Sequence, residues 1–158
     1  MSTEVALVAA FVATLSGAYT AEDPGSYPPP GARVFIGQSV GYVSETVQGV
    51  GVEAYRWELQ AAQQGNRNEG TAEGVTSIYS LTRVIRPAWT SGDWQPTFRI
   101  GPAYIDNSPF VGRTNMHLGA GIEWRGMLSL GYHHYSSGGT HRPNTGLDDI
   151  RAAIHFAF

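Results

Sequence analysis

The sequence predicts an all-β fold: a small antiparallel, up-and-down transmembrane β-barrel, with eight strands as the expected count. Three observations predict it. Segments of roughly ten residues alternate apolar with small or polar side chains and are separated by turns, the pattern of a membrane barrel. Large aromatics fall near segment ends, at Trp57, Trp89, Tyr104, Trp124, Tyr132 and Phe158, where interfacial girdles stand. Opposite the apolar faces, Arg56, Glu58, Arg99, His117, Glu123 and Arg151 interleave with Gly and Ala. A small barrel can hold such charges in a paired interior network. The alternative is a soluble barrel or sandwich with its apolar face inward.

The elements follow in order. Residues Val5 to Tyr19 form the longest apolar stretch, short of the roughly 20 residues of a membrane helix. It reads either as a first strand or as the core of a signal peptide, with Ser16-Gly17-Ala18 as a small-residue cleavage site. Glu4 and the absence of Lys or Arg before it argue against the leader. Glu22 to Ala32 holds Asp-Pro-Gly and three consecutive prolines and reads as a loop. Arg33 to Val43 alternates as a strand, with Phe35 off phase. Ser44 to Gly51 reads as a turn region and Val52 to Gln63 as the next strand. Gln64 to Gly74 is polar and Gly-rich, a long loop. Val75 to Trp89 is a strand whose apolar face Arg83 interrupts.

Thr90 to Gln95 reads as a short turn, Thr97 to Ile105 as a strand, Asp106 to Thr114 as a loop and Asn115 to Trp124 as a strand. Arg125-Gly126 is a tight turn into the final hairpin, Gly131 to Phe158. Seven strands are counted from Arg33 onward. Single-chain bacterial barrels use even numbers, with short periplasmic turns and longer outer loops. Val5 to Tyr19 is therefore expected to supply the eighth strand. The same alternation puts Ser44 to Gly51 on the periplasmic side and the proline loop outside.

All 158 residues fit one domain. Charged residues make up 15%, against about a quarter in soluble domains, and 20 glycines suit many tight turns. A net charge of −3 offers no basic surface, so no nucleic-acid partner is expected. Without cysteine there is neither a disulfide framework nor a thiolate metal site. A barrel closes its own edges, so a monomer is expected.

The final hairpin carries the chemistry. Leu128, Leu130 and Tyr132 mark an apolar face that His134 and Ser136 continue. Ile150, Ala152, Ile154, Phe156 and Phe158 mark the matching face of the last strand, and Asp148 continues it. A Ser, a His and an acid on one face are the side chains of a nucleophile, its base and the base's orienter. His-x-Ser alone occurs often by chance, and polar residues also collect at a strand's rim. His133 has inward parity, so it belongs with the interior, and His141 lies in the loop. Adjacent strand residues point apart, which argues against a metal site of His133, His134 and His141.

His134-Tyr135-Ser136 followed by Pro143-Asn144-x-Gly146-Leu147-Asp148 resembles the C-terminal motif of the PagL-type lipid A 3-O-deacylases. The resemblance is specific over Gly131 to Phe158. It implies an eight-stranded barrel in the outer membrane of a Gram-negative bacterium that hydrolyses the 3-O ester of lipid A. Lipopolysaccharide would be its substrate and no cofactor is needed. It further implies Ser136 as nucleophile, His134 as general base and Asp148 as orienter, with Asn144, Ser137 and Gly146 lining the oxyanion and substrate side. Two positions depart from the family pattern. Its acidic residue is typically Glu, one methylene longer than Asp148, and Ser137 replaces an Asn after the nucleophile. The second departure motivates a rival reading, a non-catalytic OmpX-like barrel with surface-interaction loops.

Overall fold

Period-two alternation fixes two faces per strand, and a chain of such strands satisfies its backbone in a bilayer only by closing on itself. The computed structural model describes residues 31–40, 45–66, 74–87, 92–108, 110–140 and 145–157. The strands are β1 (Gly31–Val40), β2 (Thr46–Ala54), β3 (Trp57–Asn66), β4 (Gly74–Ile85), β5 (Trp94–Asp106), β6 (Thr114–Trp124), β7 (Leu128–Ser136) and β8 (Leu147–Ala157). Each pairs antiparallel with the next, and β1 pairs with β8 to close the barrel. Lengths of 9 to 13 residues suit the roughly 9–11 needed to cross a bilayer at a tilt.

The count of eight is reached differently from the expectation. Ser44 to Gly51 is not a turn region: β2 begins at Thr46, and Val52 to Gln63 is two strands. The turn between them is Tyr55-Arg56, with φ of 51° and 65°, the left-handed pair of a two-residue hairpin. Gly49 and Gly51 serve packing inside β2. A Cβ at Gly49 would stand 2.6 Å from the Phe35 ring, and one at Gly51 would stand 2.7 Å from Glu58 Oε1. Val5 to Tyr19 lies outside the described residues, and the barrel closes without it.

The ends are reassigned accordingly. Tyr55-Arg56 lies at the same end as Arg125-Gly126, and Val40 and Thr46, where β1 ends and β2 begins, lie at the end of the longer loops. The chain therefore enters β1 at the short-turn end, where Gly31 pairs with Ala157, not from the long-loop side.

The polarity is inside-out. Ile36 and Leu59 are 60% and 61% exposed, while Glu58 and Arg99 are buried. A soluble barrel would reverse this, and so continuous an apolar outer surface needs lipid around it. Trp57, Trp94 and Trp124 stand on the outside at the short-turn end. Arg83, the residue out of phase in β4, lies there too. Its guanidinium sits 5.6 Å from the Trp57 ring centroid and donates to the Tyr55 carbonyl at 2.9 Å. An arginine at that rim reaches water while its stem covers apolar surface. Trp89 and Phe158 lie outside the described residues.

Inside, four arginines meet four carboxylates. Glu58 pairs with Arg33 and with Arg99 Nε at 2.9 Å. Arg99 also reaches Glu123 at 3.3 Å, and Arg86 bridges Glu123 and Glu53 at 2.8 and 2.5 Å. Burial opposes the charge on Arg86, but those two carboxylates outweigh it and hold its pKa above the ordinary arginine value. Towards the other end Arg151 clasps Asp149 at 2.5 and 2.7 Å and donates to Tyr135 and Gln60. Above that level the filling turns apolar, with Val47, Ile78, Ile105, Val111 and Leu147 buried together.

Candidate active site

The site lies on the outside of the barrel, towards the long-loop end, where β7 and β8 pair. The register sets His134 directly opposite Asp148, and directly opposed residues on one face bring their side chains together. His134 Nδ1 lies 2.7 Å from Asp148 Oδ1. In the neutral imidazole, a proton on the nitrogen that faces the carboxylate leaves the lone pair on Nε2. The pair is partly accessible, at 34% and 27% exposure, so a group in the surrounding layer can reach it.

Ser136 closes β7 two residues beyond His134, on the same outward face and half-buried. The backbone N–H of Gly138 donates to Ser136 Oγ at 3.3 Å. Ser137 turns to the buried side, and its carbonyl accepts from Thr140 N and Thr140 Oγ1 at 3.2 and 2.7 Å. Gly146 has φ of +81°, and a Cβ there would stand 3.0 Å from His134 Cε1. Glycine at this position lets the loop press on the imidazole edge that faces Asp148, whose Oδ2 would stand 3.7 Å from the same Cβ. Asn144 and His141 lie outside the described residues.

Neighbours on the same outer face are apolar. Met116 is the register partner of Ser136, Leu118 that of His134, and Ile150 that of Tyr132. The arrangement is an imidazole–carboxylate pair and a serine hydroxyl on an outward, largely apolar wall. Chemically it can hold an acyl ester with its chain against the wall and its polar end at the loops.

Asp149, next to the acid, points inward to Arg151. His133 also points inward, bonded to His117 at 2.8 Å, so His133 and His134 face opposite sides of the wall. One contact is absent from the reading of the sequence, which gives Tyr132 as an apolar marker of the face and a girdle aromatic. Its hydroxyl donates to Asp148 Oδ1. The signal available was its position two residues before His134 on the same face.

The family model described as lipid A 3-O-deacylase (PagL) matches residues 31–157. The chain belongs to the PagL lipid A 3-O-deacylase family. That stretch holds all eight strands, so the match covers the entire PagL-family barrel and both strands of the site. Among solved structures, the crystal structure of the outer membrane enzyme PagL aligns with 81% of this chain and 99% of its own. Its identity is 16% and its TM-score 0.56. The crystal structure of Neisserial surface protein A aligns with 82% and 96%, at 11% identity and a TM-score of 0.50. At these identities the two likenesses establish the barrel fold alone. No curated sequence matches the chain significantly. PagL-family membership and the closed barrel together point to the outer membrane of a Gram-negative bacterium.

Proposed function

We propose that this PagL-family barrel is an outer-membrane serine esterase that removes the 3-O acyl chain of lipid A through a Ser136–His134–Asp148 triad. One observation carries the reading: the 2.7 Å His134–Asp148 contact on a lipid-facing wall, one strand pleat from Ser136. Ser136 Oγ attacks the ester carbonyl while His134 Nε2 takes its proton. The C–O bond to the sugar breaks, and the imidazolium returns the proton to the leaving sugar oxygen. Water, deprotonated by the same imidazole, then attacks the acyl-enzyme; the bond from the acyl carbon to Ser136 Oγ breaks, the imidazolium returns the proton to Oγ, and the fatty acid leaves. Asp148 holds the tautomer and stabilises the imidazolium throughout. The oxyanion is assigned to backbone N–H groups after the serine, with that of Gly138 already aimed at Oγ, together with Asn144 and Ser137. Water and these side chains suffice, without a cofactor. Among the described residues the closed β1–β8 seam leaves no unpaired strand edge, which favours a monomer.

The test is covalent. Detergent-folded protein treated with a serine-directed fluorophosphonate is expected to carry one adduct, on the peptide holding Ser136. The Ser136→Ala variant is expected to carry none. Equal labelling of the two, or none of either, would favour the non-catalytic barrel that Ser137 motivates. A second variant probes the loop contact. Gly146→Ala drives a methyl towards the imidazole at a left-handed φ, and a displacement of about 1 Å at a base costs up to about 100-fold in rate. A fall of that order in hydrolysis of lipid A in mixed micelles is the expected result.

A further inference from the structure

The outer face holds a fourth polar group that the triad chemistry leaves unused. Tyr132, His134 and Ser136 occupy alternate positions of β7 and share one face. Tyr132 is in register with Ile150, and Asp148 is its diagonal neighbour on β8. Diagonal neighbours lie within reach of a long aromatic side chain. The phenol uses that reach: its hydroxyl and His134 Nδ1 both end on the same oxygen, Asp148 Oδ1. A phenol in an apolar surround needs a partner, and this one takes a carboxylate.

We infer that Tyr132 is a positioning residue, whose hydroxyl fixes the rotamer of Asp148 so that its short side chain meets the imidazole. The inference rests on the deacylase reading above. An aspartate across from a histidine has little length to spare, and an unheld carboxylate on a lipid-facing wall turns towards any available donor. With Tyr132 and His134 converging on Oδ1, one orientation satisfies both donors, and Gly146 packs against the same edge of the ring, beside Asp148 Oδ2. The bland reading makes Tyr132 a girdle aromatic, anchored by its ring alone.

Tyr132→Phe keeps the ring and removes the hydroxyl. Loss of a charge-assisted bond that acts through the base is expected to lower kcat roughly tenfold, with KM on lipid A mixed micelles unchanged. In an Asp148→Asn background the same substitution is expected to change nothing further, because its effect runs through that carboxylate. Tyr104→Phe, on another outward tyrosine of the wall, is expected to match wild type. A kcat equal to wild type in Tyr132→Phe, or the same loss with and without Asp148, overturns the inference. A second readout needs no substrate. The His134 Nδ1 proton, followed by NMR in labelled, micelle-folded protein, is expected to exchange slowly in wild type and to be lost to water in Tyr132→Phe. Identical behaviour in the two overturns the inference. Wild type inactive on lipid A, with the proton still lost in Tyr132→Phe, instead contradicts the deacylase reading and leaves the positioning intact.

Discussion

Ser136→Ala and His134→Ala are each expected to lower lipid A deacylation by about 10⁴-fold or more, and the double variant to fall no further than the worse single. The non-additivity is the informative part. A serine without its base is a poor nucleophile, and an imidazole without the serine has nothing to deprotonate, so the pair fails as a unit. Single-turnover kinetics in mixed micelles read it directly. All three variants should fold, because Ser136 and His134 stand on the outer wall away from the interior ion pairs, and heat-modifiable gel mobility checks this. Losses that multiply in the double variant would mean that the two residues act separately.

Glu58→Ala is expected to produce the largest loss of stability. Glu58 is fully buried and faces Arg33 and Arg99 at once, with Gln60 Nε2 donating to it at 2.7 Å. Removing it strands guanidinium charge in the barrel lumen, and breaking a buried pair from one side costs about 3–5 kcal/mol. Denaturant unfolding in lipid vesicles should show it. The exposed pair of Asp93 and Arg125, at 50% and 56% exposure, is the contrast: Asp93→Ala should cost no more than about 1 kcal/mol. Similar midpoints for the two variants would mean that the interior network does not hold the barrel closed.

Much of this was legible in the sequence, and the reasons are specific. β6, β7 and β8 read cleanly because most of their outward residues are large and apolar while, Tyr135 and Leu147 apart, the inward ones are polar, charged or small, so phase is visible. That same phase separates Asp148 from Asp149 and His134 from His133 before any register is known. β2 was hidden because Gly49 and Gly51 resemble turn residues, whereas they make room for Phe35 and Glu58. The turn that follows was hidden for the converse reason. Tyr55 and Arg56 both adopt positive φ without the Asn or Gly that normally marks such a hairpin. The switch of outward parity from Val52 to Trp57 was the remaining signal. Tyr132 was hidden because an outward tyrosine on a barrel is ordinarily a girdle residue, and only the diagonal geometry gives its hydroxyl a partner.

The most direct test of the central claim is the mass spectrum of lipid A from a Gram-negative host expressing the wild-type protein, beside that from a host expressing Ser136→Ala. The deacylase account predicts the loss of one 3-O-linked hydroxyacyl chain with wild type alone. Unchanged lipid A in both hosts, with both proteins folded in the outer membrane, would contradict it.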